Sequence, residues 1–216
     1  MTPKKKEKRA VGRPKEKNSL ETKDILRTAL KSFAQKGFGG VTIKSLAKET
    51  GVADSLLHYH FGNKEELWKK SMEHTGHTIQ QELDDIFKLL SDMSGIEKLR
   101  LFNKKIVYTS AKYPEFQQVV VQEVFSESSR SDWLIDELLK PIFSYMEAAI
   151  KEEMKKGTIK KIPMANISSF IIGSITTFFS RSYQMKKIYG VNSFSKKEVE
   201  KHAELINDLL FNGLMK

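Results

Sequence analysis

Three glycines cut residues 22–62 into helix-sized pieces, and this punctuation constrains the fold more than any other feature of the chain. Ile25, Leu26, Ala29, Leu30, Phe33 and Ala34 recur on one face of a 3.6-residue repeat. Thr22 is placed to cap that helix. Gly37 ends it, and Phe38-Gly39-Gly40 turns the chain. A short helix opens at Thr42, a residue type favoured at N-caps, and stops at Gly51. A second covers about residues 53–60 and breaks at Gly62. Asn63 then caps a longer helix, with Glu66 three residues on in a capping-box-like pattern.

Beyond residue 65 the helical signals lengthen and their apolar faces widen. Ser94 and Glu97 form a capping box that opens a helix to about Lys112, and Pro114 starts the next, to about Ser128. A long helix is expected over residues 131–156, kinked at Pro141 and closed by Gly157. Pro163 opens one that ends near Gly190. Ser195 and Glu198 form another capping box, ahead of a last helix carrying Val199, Ala203, Ile206, Leu209 and Leu210. No strand pair and no internal repeat is evident. The reading is all-α, with about nine helices.

The two short helices have the parts of a helix-turn-helix. Such a motif needs a tight turn that favours glycine, a small residue where the helices cross, and apolar residues to lock the pair. Gly51 supplies the turn, Ala47 the crossing, and Leu46, Val52 and Leu57 the lock, with Phe33 and Phe38 closing a three-helix core beneath. A plain helical hairpin with a glycine turn satisfies the same spacing. In a helix-turn-helix the second helix presents its N-terminal part to base edges in the major groove. That selects Asp54, Ser55, Leu56 and Tyr59: a hydroxyl for either sense of hydrogen bond, an apolar contact for a thymine methyl, a carboxylate for a cytosine amino group. Asp54 also reads as an acid favoured by the helix macrodipole.

Charge supports that reading. Residues 1–17 hold eight basic and two acidic residues and carry +6 of the chain's net +10. Such an arm suits a polyanion, nucleic acid or an acidic membrane surface, and it also reads as a solvated tail. Residues 1–18 lack apolar periodicity and are expected to be disordered in isolation. Gly12-Arg13-Pro14 resembles an AT-hook, which lays arginine in a narrow minor groove, so Arg13 joins the candidate DNA contacts.

Other chemistries find little footing. Cysteine is absent, which excludes disulfides and thiolate metal sites and fits a cytoplasmic location. Residues 167–179 are the most apolar stretch, but they are short and contain serines and threonines, so a buried helix is expected there and no membrane span. No nucleophile elbow, Walker-type loop, dinucleotide fingerprint or zinc-protease helix is present, and the reading is no enzyme and no cofactor. His74 and His77 share a helix face without further ligands at fixed spacing, and no metal site is expected.

Residues 22–67 resemble the DNA-binding domain of the tetracycline-repressor (TetR) family. The resemblance runs through Ile25-Leu26, Ala29, Phe33, Gly37, Val41-Thr42, Leu46-Ala47, Gly51-Val52, Leu57, His60-Phe61 and Lys64-Glu65-Glu66-Leu67. It implies a three-helix helix-turn-helix DNA-binding domain over residues 19–65, then a helical ligand-binding and dimerisation domain over residues 66–216. It implies phosphate contacts at Thr42, Lys44, His58, His60 and Lys64. It further implies a homodimer on double-stranded DNA, repression through a palindromic operator, and a small, largely apolar effector; dimerisation would fall on the last two helices. Ala53, Leu56 and His58 depart from the family pattern, and Ala53 removes a serine cap. The alternative is a helical interaction or membrane-surface protein using the basic arm.

Overall fold

The computed structural model describes residues 15–93 and 95–214, with the side chains of residues 15–21 and 214 left aside. Arg13 and the rest of residues 1–14 lie outside the described residues, as does Ser94. The first helix, α1 (Lys15–Lys36), starts seven residues before the expected cap at Thr22. Residues 15–20 contain neither glycine nor proline and are mostly straight-chain types, which lose little rotamer freedom in a helix. The expected disorder through residue 18 therefore gives way to helix from Lys15. The predicted apolar face is buried in full, with Ala29, Phe33 and Ala34 at 0% exposure.

Helix α2 (Ile43–Thr50) opens on Thr42, whose hydroxyl accepts from Ser45 N at 3.0 Å while Ser45 Oγ accepts from Thr42 N at 3.0 Å. Helix α3 (Asp54–Phe61) follows Gly51, which sits at φ 72°. A left-handed residue is what turns the chain there, and glycine adopts it without a Cβ penalty. Ala53 caps α3 with no side-chain bond, as its identity requires. Asn63 caps α4 (Lys64–Leu89) by accepting from Glu66 N at 2.9 Å. Glu66 does not complete the box; its carboxylate lies 3.6 Å from Lys69.

Helices α5 (Ile96–Lys112) and α6 (Pro114–Glu123) follow. The cap of α5 is Gly95, whose N–H donates to Glu153 at 3.1 Å, and α6 ends five residues short of Ser128. Helix α7 (Ser129–Trp133) runs through a π-helical stretch, Leu134–Leu139, into α8 (Lys140–Lys156). Pro141 has no N–H to give the preceding turn, so the expected kink takes the form of a widened turn just before it. The expected helix from Pro163 to Gly190 divides at Arg181 into α9 (Met164–Ser180) and α10 (Ser182–Tyr189), and α11 (Lys196–Leu214) closes the fold. With α7, the π stretch and α8 as one rod, the described residues form ten helices.

One apolar core runs from Ile25 on α1 to Phe211 on α11. Its axis is α4, 26 residues and about 39 Å long. Gly76 lies midway along it, and a Cβ there would come within 3.2 Å of both Leu138 methyl groups, so glycine permits the close approach of the π stretch. Glu82, further along α4, accepts from Lys105 at 2.9 Å, Lys112 at 2.6 Å and Tyr113 at 2.5 Å, and ties α4 to the α5–α6 corner. On α9 and α11, Ile167, Ile171, Ile175, Ala203, Ile206 and Leu210 are buried within the subunit, whereas Phe170, Leu205 and Leu209 are exposed.

Candidate nucleic-acid interface and its coupled cavity

Leu57 alone on α3 is buried, at 0% exposure, against a core that includes Leu46 and Val41. Anchoring the helix by this one side chain leaves Asp54, Ser55, Leu56, His58, Tyr59 and His60 exposed. Tyr59 is 83% exposed and stands beside Ser55 and Leu56 on the bared face of α3. Thr42 and Lys44 are exposed at the start of α2. The predicted base-edge set thus shares one helix, and the two α2 candidates stand at a helix N-terminus, where unpaired N–H groups favour anions.

Two predicted phosphate contacts have internal engagements. His58 lies 3.7 Å from Asp54, and its Nδ1 meets Gly62 O at 2.9 Å, which locks the end of α3. Lys64 turns back to donate to Phe38 O at 3.1 Å, with its ammonium 4.1 Å from the centre of the Phe38 ring. An ammonium has three donors, so this bond does not exhaust Lys64.

Phe38 is a junction that the sequence does not reveal. The Arg130 guanidinium, from α7, lies 3.8 Å from its ring centroid, and the Trp68 ring meets it edge-on at 6.4 Å. Trp68 in turn meets Trp133 at 5.6 Å. Arg130 Nε sits 3.3 Å from the buried carboxylate of Glu123, close enough for a strong charge attraction but off the hydrogen-bond direction. Gln122 Nε2 donates to Ala34 O at 2.9 Å. The three-helix unit is therefore seated on α6 and α7 as well as on α4. Within that unit, Ser32 and Lys36 of α1 both hold the Glu49 carboxylate of α2, and their hydrogen bonds keep its pKa below the usual range.

A cavity of about 500 Å³ lies between α4, α5, α6, α8 and α9, walled by Ile79, Leu83, Ile106, Val120, Phe143 and Ile172, among others. Its size and apolar lining suit a small-molecule guest. The lining of this cavity is assembled from five helices, which is why sequence spacing gives no residues for it. His74 lies outside it, its pKa lowered by burial and by Lys23, Arg27 and His77. Among the described residues no group of three side chains able to hold a metal ion occurs, and no helix is long and apolar enough to cross a membrane.

A helix-turn-helix that bares its second helix, set on a helical body with an apolar cleft, is the arrangement of a DNA-binding regulator. Residues 25–70 match the family described as bacterial regulatory proteins, tetR family. The chain is 24% identical to the transcriptional repressor NicS of Pseudomonas putida over 88% of this chain and 91% of that one. It is 29% identical to IcaR of Staphylococcus epidermidis, a negative regulator of a biofilm operon, over 39% of this chain and 44% of that protein. Its fold is similar to that of the regulator FadR of Bacillus subtilis, solved in complex with stearoyl-CoA, with a TM-score of 0.68 at 22% identity, covering 88% of this chain and 97% of that one. Residues 25–70 thus form a DNA-binding domain of the tetR-family kind, and over most of its length the chain is similar to transcription regulators.

Proposed function

We propose that this protein is a ligand-controlled repressor that binds a near-palindromic operator as a homodimer. Residues of about 19–65 act as the reader and residues 66–216 as the ligand-binding and dimerisation unit. The observation that carries this reading is the double engagement of α4. Its first turns hold Lys64 and Trp68 against Phe38 of the reader, and its middle supplies Ile79 and Leu83 to the cavity wall. A guest that favours one position of α4 therefore also favours one seating of α3. Its leverage equals its differential affinity for the two states, about 5.5 kcal/mol for a swing from 1:99 to 99:1.

In this reading Ser55, Leu56 and Tyr59 face base edges, with Asp54 beside them, and Thr42, Lys44 and His60 contact phosphate. His58 and Lys64 chiefly hold the reader's shape, with spare donors for the backbone. The exposed Phe170, Leu205 and Leu209 of α9 and α11 supply an apolar face for the partner subunit. Two copies of α3 about 34–36 Å apart enter successive major grooves. The protein acts on DNA in the cytoplasm.

Selection of bound genomic fragments, followed by anisotropy titration of the recovered site, tests this. An inverted repeat is expected, and Tyr59→Ala is expected to weaken binding at least tenfold while leaving the melting temperature unchanged. Recovered fragments without an inverted repeat would refute the reading. Sedimentation with anionic vesicles in the absence of DNA binding would instead favour a membrane-surface protein.

A further inference from the structure

A second cleft, of about 390 Å³, opens between α1 of the reader and the helical body, and its lining is mostly polar. No residue of α2 or α3 lines it, so it is not part of the base-edge face. It shares only Phe116 with the apolar cavity.

The α1 wall carries two cations with little to hold. Lys31 has no ion-pair partner among the described residues. Arg27 meets only Asp24, at 3.7 Å, and both side chains are about three-quarters exposed, where water weakens a pair. Across the cleft, Lys112 binds Glu82 at 2.6 Å and keeps further donors. Glu115 is the one carboxylate on the lining among the described residues. It stands in the first turn of α6, where the macrodipole favours an acid. Three cations against one carboxylate favour an anionic guest.

The α4 wall offers neutral groups. Thr75 is 9% exposed, lines the cleft and has no hydrogen bond among the described residues. Unlike the hydroxyls of Thr109 and Ser168, its oxygen is not sealed by protein, so the cleft is where it finds a partner. The His74 ring also has no hydrogen-bond partner among the described residues. Burial, with Lys23, Arg27 and His77 nearby, lowers its pKa below 6.5 and keeps it neutral at pH 7. A neutral imidazole donates from one nitrogen and accepts at the other, as a guest hydroxyl requires. Glu115 can only accept, which again suits a hydroxyl.

Cations on one wall and neutral donors and acceptors on the other match a guest that is anionic at one end and hydroxylated at the other. A phosphate group carries nearly two charges and three acceptor oxygens, enough for two basic side chains at once, whereas a carboxylate carries one charge. We infer that this cleft is a second effector site that takes a small phosphorylated, hydroxyl-bearing metabolite of about the size of a sugar phosphate. Its phosphate lies at Arg27 and Lys31, and its hydroxyls meet Thr75, His74 and Glu115. The first pair belongs to the reader and the other three to the body, so the guest clamps α1 to α4 and α6. By linkage, it changes operator affinity by the same factor by which the operator changes its own. The site stands without the repressor reading, and its effector role rests on that reading.

The test is calorimetric titration of the full-length protein without DNA, beside operator anisotropy. The probes are triose, pentose and hexose monophosphates, inorganic phosphate and glucose. At least one sugar phosphate is expected to bind about tenfold more tightly than inorganic phosphate, and glucose is expected not to bind. For that sugar phosphate, Lys31→Gln and Arg27→Gln should each weaken binding about tenfold and Thr75→Val about fivefold, with melting scans confirming that each variant folds. Lys44→Gln, on the DNA face, should leave its binding unchanged. Operator affinity should shift at least threefold when it is present, and Lys31→Gln should abolish the shift. Equal affinity for inorganic phosphate and every sugar phosphate, indifference to Lys31→Gln and Arg27→Gln, or loss with Lys44→Gln overturns the site. Binding that leaves operator affinity unchanged overturns the effector role. An operator bound by a protein that takes no sugar phosphate refutes the site alone. Sugar-phosphate binding without any operator refutes the repressor reading and leaves the site standing.

Discussion

Replacing Glu82 by glutamine measures how firmly α4 is fixed to the effector body. Burial by itself would raise the Glu82 pKa, but hydrogen bonds from Lys112, Tyr113 and Lys105 outweigh it and hold the carboxyl at about 2, down from 4.5. That drop corresponds to about 3 kcal/mol of preference for the ionised form in the folded state. Water reaches part of the side chain and screens the charges, so the expected contribution is about half of this. The sign follows from linkage. A carboxyl whose pKa is depressed on folding stabilises fully above its unfolded value, and the contribution fades as pH falls from 4.5 towards 2. Urea unfolding at pH 7 should therefore show Glu82→Gln less stable than the wild type by about 1–2 kcal/mol. The same comparison at pH 3.5 should show a smaller gap, by about two fifths. A gap that stays constant between the two pH values would mean that Glu82 acts through shape and not through charge. No gap at pH 7 would mean that the three donors do not stabilise the carboxylate at all.

Gly51→Ala should cost about 1–2 kcal/mol in urea unfolding, because a Cβ there meets no atom within 4 Å and the penalty is that of a left-handed backbone alone. Arg130→Met should destabilise by about 2 kcal/mol or more by leaving the Glu123 carboxylate buried and unpaired, and Glu123→Gln in the same chain should restore much of the loss in a double-mutant cycle. Burial lowers the His202 pKa against weaker backbone hydrogen bonds that raise it, so folding favours the neutral ring. Stability should be complete above pH 6.5 and decline as pH falls below it, and His202→Gln should remove that part of the decline in melting scans. Deleting residues 1–17 should weaken operator binding and flatten its salt dependence, by about one in slope for each phosphate that the arm neutralises; an unchanged slope would show that the arm does not touch DNA.

The chain's local grammar is written in its sequence. The Thr42 cap, the left-handed Gly51, the uncapped Ala53, the Asn63 cap and the buried stripe of α1 each depend on neighbours within four residues, so spacing alone locates them. That suffices to place the base-edge candidates on one exposed helix. The early start of α1 is not legible in apolar spacing, because extending a helix from an existing turn needs no apolar residues, only the absence of breakers. The division of the long segment at Arg181 is equally hidden, because no glycine or proline marks it. The tertiary structure alone sets Arg130 on Phe38, 92 positions apart in the chain, and turns Lys64 inward. It alone gathers the cavity from five helices and decides that Ile171 and Ile206 are buried within the subunit while Phe170 and Leu209 face out. The physical reason is range. Caps and turns are settled by backbone groups that the chain itself brings together, whereas cavities, cation contacts and the choice between two apolar faces of one helix depend on which distant surfaces pack against each other.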